Sequence, residues 1–170
     1  SYSIIFRFNY VQITKTYTDN GELEFLPIPW KTDGSLDTDS LKSLLANDTL
    51  AVIISSPNFL GCIEPMESIA DFAKKNGSFF IAVVPEILSV GIIEPPGTYQ
   101  ADVVVSEGMT LAIGASLGGP TLGIFTSRNE YLRQMPGRIV GRTVDKEGKE
   151  GFVATLSTRE QHIRREKDTS

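Results

Sequence analysis

The sequence predicts an α/β fold built on a mostly parallel sheet with flanking helices. The runs LAVIIS (50–55), SFFIAVV (78–84) and DVVVS (102–106) are almost continuously apolar and rich in β-branched residues, the pattern of strands buried on both faces. Between the first two lies a segment of helical spacing, with Met66, Ile69, Ala70 and Ala73 on one face. Strand, helix and strand of these lengths make a right-handed crossover between parallel neighbours.

Taken in order, the opening SIIFRFNYVQI reads as a strand by composition. ELEFLPIPW (22–30) alternates and then meets prolines, which suits an edge strand or an extended entry segment. TDGSLD is turn chemistry. A helix is expected from Asp37 as N-cap, with Leu36 and Leu41 placed as a hydrophobic staple and Leu41, Leu44 and Leu45 as its apolar face. After the first buried run, SPNFLG makes a loop. The next helix opens near Pro65, where the missing N–H has no helical partner to lose, and Gly77 stops it. Beyond Gly123, IFTS reads as a further strand. Ser127 and Glu130 have capping-box spacing for a short helix through Met135, and PGRIVGRTVDKEGKEGFVATL reads as a hairpin. Ser157 and Glu160 repeat the capping-box spacing before a charged helix.

Composition narrows the function. With 170 residues the chain is long enough for one domain with a core, and 41% hydrophobic and 22% charged residues place it among ordinary globular sequences. A net charge of −5 argues against a general nucleic-acid binder. Seven of the eight arginines nevertheless lie at or beyond Arg128. Cys62 is the single cysteine and His162 the single histidine, too few for the usual zinc set. An unpaired cysteine favours a reducing, cytoplasmic setting. No apolar run is long enough to span a membrane, and the opening segment lacks the basic start and small-residue cleavage site of a signal peptide. With no initiator Met and an end inside REQHIRREKDTS, the chain reads as a piece of a larger polypeptide.

Ligands of open α/β sheets bind at the C-terminal ends of the strands, so candidate chemistry is sought in SPNFLG, VPEILSVG and SEGMTLAIGASLGG. Pro57 and Asn58 either line a pocket or make a turn. Glu86 either faces a ligand or caps a helix. Gly114, Gly118, Gly119 and Gly123 make either a phosphate cradle or a structural turn; the spacing is not that of a dinucleotide or P-loop motif. Glu107 has no His or Ser at a diagnostic spacing, and Ser116 sits one place off a nucleophile elbow. His162, Arg165 and Glu166 share one side of the expected tail helix, where an interface or a solvated face is the expectation. No lysine occurs between Lys75 and Lys146.

The segments GGPTLG, MPGRIVGRTVD and GFVATLSTREQHIRREK, with SSPNFLGCIEPMESIA and DVVVSEG, are similar to subunit 1 of the two-subunit glycine dehydrogenase (decarboxylating), the P-protein family of the glycine cleavage system. The similarity runs from about Thr16 to Ser170; residues 1–15 do not share it. It implies a fragment of the large domain of a fold type I, aspartate-aminotransferase-like pyridoxal-phosphate enzyme. Residues 1–127 would be a partial α/β large domain, and residues 128–170 a hairpin and charged helix leading towards a further C-terminal domain. The assembled cytoplasmic heterotetramer would be an oxidoreductase that decarboxylates glycine and passes the aminomethyl group to the lipoyl group of the H-protein. Subunit 2 would carry the cofactor lysine.

In this chain, Met109 and Thr110 stand where that lysine is expected, and AVVPE where an aspartate would face the pyridinium nitrogen. Schiff-base chemistry needs an amine, so no catalytic, cofactor-binding or metal-binding residue is expected here. Arg138, Arg142, His162, Arg164 and Arg165 are the candidates for contacts with subunit 2. The rival expectations are a free-standing pyridoxal-phosphate lyase of the same fold and a nucleotide-binding α/β module.

Overall fold

The computed structural model describes residues 8–18, 23–114, 118–137 and 139–155. It divides into two compact units, residues 1–126 and 127–170.

In the first unit, helix α1 spans Phe8–Thr18, where the sequence predicts a strand. Only Phe8–Ile13 of the expected strand is described, and it is helical; the threonines that follow return their hydroxyls to the helix, Thr14 Oγ1 donating to Tyr10 O at 2.8 Å and Thr18 Oγ1 to Thr14 O at 2.8 Å. Such back-bonding is open to Thr in a helix, and local hydrogen bonds satisfy the backbone without a partner strand. The segment after residue 22 is extended without a ladder, so of the two expectations for it the entry segment holds. Its end, Trp30, makes a single antiparallel bridge to Leu36 around the Lys31–Ser35 turn.

Helix α2 (Thr38–Leu44) is capped as the sequence predicts: the Asp37 carboxylate accepts from the Asp39 and Ser40 N–H groups and from the Ser40 hydroxyl at 2.7 Å. Leu36 and Leu41, the staple pair, are both buried in the core. Leu44 and Leu45 are only half-buried, and Leu45 is the C-cap. Strand β1 (Ala51–Ser55) leads through a loop to α3 (Met66–Asn76), which buries the four predicted residues and ends on left-handed Gly77 at φ +78°. Strand β2 (Phe79–Val84), a single 3-10 turn over Ile87–Gly91, strand β3 (Val103–Glu107), the one-turn helix α4 (Met109–Ala112) and strand β4 (Gly123–Ser127) complete the series.

The sheet order is β1-β2-β3-β4. Strands β1 and β2 pair in parallel with Ala51 opposite Phe79, and β2 and β3 in parallel with Ile81 opposite Val103. Helix α3 is the crossover between β1 and β2, as predicted. The core gathers Leu36, Leu41, Ile54, Ile69 and Phe80, with Tyr99 set edge-on to Phe80 at 6.1 Å between centroids. Burial is the main reason, and Glu94 the lesser one, that the Tyr99 phenol is pushed up to about 12.

In the second unit a 3-10 turn covers Asn129–Gln134 with Arg128 at its N-cap. The predicted Ser127–Glu130 capping box is not formed. Strand β4 continues through Ser127, so the turn starts later, and the buried Ser127 hydroxyl has no hydrogen-bond partner among the described residues. Strands β5 (Ile139–Val144) and β6 (Glu150–Thr155) form the predicted antiparallel hairpin. Its turn is fixed by Asp145, whose Oδ1 accepts from the Glu147 and Lys149 N–H groups at 2.8 and 2.9 Å. The predicted tail helix after Ser157 lies outside the described residues.

Candidate functional site

Because β1, β2 and β3 are parallel neighbours, their C-terminal ends open on the same edge of the sheet. The chain puts different chemistry at each end.

After β1 the loop is organised by polar groups that water does not reach. Asn58 and Glu64 are 5% and 4% exposed. The Asn58 amide donates to Glu64 Oε1 at 2.6 Å and to Gly34 O at 2.9 Å, while its oxygen accepts from the Leu60 and Cys62 N–H groups at 2.9 and 3.0 Å. Both Glu64 carboxylate oxygens accept from the Leu36 N–H, at 3.2 and 3.0 Å, and the Glu64 N–H donates to Ser56 Oγ at 3.1 Å. The Ser56–Pro57 peptide bond is cis. Asn58 is therefore fully engaged with protein, which favours the turn over the pocket-lining reading. Its amide meets three backbone groups, Gly34 O and the Leu60 and Cys62 N–H groups, and unmet buried groups are costly. Glu64 was not singled out by sequence reasoning. Its signal is the acidic residue immediately before the Pro65 that opens α3, but the partner on Leu36 is far away in sequence.

After β2, Glu86 caps the 3-10 turn. Its carboxylate accepts from the Leu88 N–H at 3.1 Å and from the Thr110 hydroxyl at 2.5 Å. The Thr110 bond first, and the Leu88 N–H second, hold the Glu86 carboxyl below its ordinary range. Glu86 thus caps, as one of its two sequence readings has it, and also ties the end of β2 to α4.

After β3, Glu107 Oε1 accepts from the Met109 N–H at 3.0 Å, which starts α4. Gly108 donates its N–H to Leu122 O at 2.7 Å. A Cβ there would stand 2.8 Å from Ile124 Cδ1, so a side chain at this position would force Ile124 to shift. Met109 is half-buried and Thr110 exposed. Gly118 has φ +92°, while Gly114 and Gly123 have open space where a Cβ would be. Ser116 lies outside the described residues.

These strand ends do not fit a covalently held aldehyde coenzyme. They offer no amine, since no lysine lies between Lys75 and Lys146, and the one carboxylate at the end of β2 is spent on Thr110 and Leu88. Of the predicted contact residues, Arg142 on β5 is exposed, with Nη1 3.3 Å from the equally exposed Glu150 on β6, a pair worth little in water. Arg138, His162, Arg164 and Arg165 lie outside the described residues.

The family model described as "Glycine cleavage system P-protein" matches residues 6–170. The chain belongs to the glycine cleavage system P-protein family. The match reaches further towards the start than the motifs do, so most of residues 1–15 share the family pattern after all. Among P-protein relatives, the chain is 46% identical over 162 residues to "Probable glycine dehydrogenase (decarboxylating) subunit 1" of Carboxydothermus hydrogenoformans, covering 95% of this chain and 36% of that one. It is 49% identical over 138 residues to the protein of the same name from Chlorobaculum parvum, covering 81% and 31%. The chain thus spans about a third of the length of the curated relatives it matches.

Among solved structures, the inhibitor-bound glycine decarboxylase (P-protein) of the glycine cleavage system superposes with a TM-score of 0.78 at 35% identity, over 97% of this chain and 36% of that one. The apo cysteine desulfurase from Thermococcus onnurineus NA1 gives 0.60 at 18% identity, over 89% and 37%, a likeness of fold alone. The fold is that of fold type I pyridoxal-phosphate enzymes, as the sequence predicts, with a parallel sheet and flanking helices. No described helix is long and apolar enough to cross a membrane.

Proposed function

We propose that this chain is part of the subunit of glycine decarboxylase that does not carry the coenzyme. The supporting observation is the missing amine at Met109 and Thr110, at the start of α4 just beyond β3. Pyridoxal-phosphate chemistry begins with an amine on the enzyme, and this sheet edge has none. A second subunit supplies it, and the assembled cytoplasmic enzyme decarboxylates glycine and hands the aminomethyl group to the lipoyl group of the H-protein. The name "subunit 1" carried by the relatives supports a partner chain. The contribution of this chain is to complete the assembly. Arg138, Arg142, His162, Arg164 and Arg165 remain the proposed contacts, in keeping with the enrichment of arginine at interfaces. The large-domain fragment would end near residue 127, before the hairpin.

The test uses the full-length polypeptide that contains this chain, with and without subunit 2. Glycine–bicarbonate exchange is expected only when both are present. Borohydride treatment of the full-length polypeptide alone with pyridoxal phosphate is expected to leave no reduced adduct. A lysine of this polypeptide carrying the reduced coenzyme would overturn the reading.

A further inference from the structure

The corner between α3 and β2 holds an asparagine followed by a glycine, Asn76 and Gly77. A glycine has no Cβ to keep its own nitrogen away from the preceding side chain, so the Gly77 nitrogen can attack the Asn76 amide carbon. A solvent base takes the Gly77 proton, the N–Cγ bond forms, the Cγ–Nδ2 bond breaks, and ammonia leaves. Water then opens the cyclic imide at either carbonyl, giving aspartate or isoaspartate. The net change is amide plus water to carboxylic acid plus ammonia, with nothing oxidised or reduced. Gly77 is exposed and Asn76 half-buried, so water has access. The fold, however, engages both reacting groups. The Gly77 N–H donates back into α3, to Lys74 O at 3.1 Å. The Asn76 amide donates to Ala46 O at 2.8 Å and to Ser78 Oγ at 2.9 Å. Ser78 is buried, and its hydroxyl places its one proton on Thr49 O at 2.7 Å. Asn76 thus clasps the end of α3 to the connection between α2 and β1, beside the bond from the Phe79 N–H to Leu50 O at 2.9 Å.

We propose that Asn76 is a deamidation site gated by this clasp. It is closed while the amide holds Ala46 and Ser78, reactive when the corner opens locally, and unable to close again once it has reacted. The last point follows from the donors and acceptors. A carboxylate in place of the amide has no proton to give. It would face the Ala46 carbonyl oxygen, another acceptor, and would find the Ser78 proton already on Thr49. It would also set a negative charge at the C-terminal end of α3, where the helix dipole disfavours it. The gate follows from the scale of local motion: a helix end and the turn beyond it open at lower free energy than the whole fold, and opening frees the Gly77 nitrogen and the Asn76 side chain together. The site records each such opening as a change of charge, and every copy that reacts is left with a weaker corner between α3 and β2. This inference is independent of the function proposed above.

The experiment ages the full-length polypeptide that contains this chain in mildly alkaline buffer, once folded and once in denaturant. Mass spectrometry follows conversion of the peptide that carries Asn76 and Gly77. Conversion is expected to be about tenfold or more slower in the folded polypeptide than in the denatured one. Ser78→Ala, which removes one partner of the Asn76 amide and the tie to Thr49, should narrow that ratio several-fold. Asn76→Asp, which carries the product from the start, should unfold at a lower temperature than wild type. No conversion in denaturant would overturn the site itself. Equal rates in the folded and denatured wild type would overturn the gate, and this comparison needs no variant to fold. A ratio unmoved by Ser78→Ala would overturn the clasp as its cause, and an unchanged unfolding temperature for Asn76→Asp would overturn the claim that the product cannot close it.

Discussion

Glu64 and Asn58 show how much one buried hydrogen-bond pair can fix. Removing either partner leaves the other's polar atoms inside the protein without water. Asn58→Ala and Glu64→Ala are therefore each expected to destabilise the fold by roughly 1–3 kcal/mol, read from denaturant midpoints. Because the two share one bond, the double variant should cost less than the sum, and strict additivity would refute the coupling. Gly108 makes a different residue-scale demand. Gly108→Ala should cost roughly 1–3 kcal/mol through overpacking, and Ile124→Val, which deletes the Cδ1 that a new Cβ would meet at 2.8 Å, should recover part of it. Glu86 offers a titration. Its carboxyl is held below the usual range, so the contact contributes above that range and is lost as pH falls through the depressed value. Thr110→Val should return the Glu86 titration, followed by NMR, towards an ordinary carboxylate; an unmoved titration would mean that the Thr110 bond is not its cause.

At the scale of elements, most boundaries were legible because they rest on local chemistry. Asp37 caps α2, Pro65 opens α3 and Gly77 ends it, each as the residue type dictates. Gly77→Ala should cost about 1 kcal/mol, since φ +78° strains an L-residue although its surroundings are empty. Calorimetry showing no loss would contradict that assignment. The failures have local causes too. In α1, β-branched and aromatic content (Phe8, Tyr10, Val11, Ile13) reads as strand, but strand propensity expresses packing on a sheet, and α1 joins none. The Ser127–Glu130 pair has the right spacing for a cap, yet sheet pairing carries β4 through Ser127 and removes it from the cap position.

At the scale of the whole molecule, burial ties pH to stability through Tyr99. The phenol is raised to about 12, so the neutral form is favoured in the fold. The stability this contributes is complete below the unfolded value of about 10 and declines as pH rises through the folded value. A spectrophotometric titration should show a tyrosine component that ionises late, near pH 12, and a Tyr99→Phe variant should lack it.

The three strand runs, the parallel crossover between the first two and the family motifs all follow from the amino-acid order alone, although the third run, β3, is half-buried where the sequence predicts a buried strand. Hydrophobic runs and helix caps act over a few residues, and a missing lysine is visible without coordinates. Tertiary structure alone decided that Asn58 joins Glu64 and Gly34, that Glu86 reaches Thr110 across two strand ends, and that Gly108 must admit Ile124. Asn58 and Gly34, and Glu86 and Thr110, each lie 24 residues apart in the chain, and the parallel pairing of β2 with β3 sets the ends from which Glu86 and Thr110 meet.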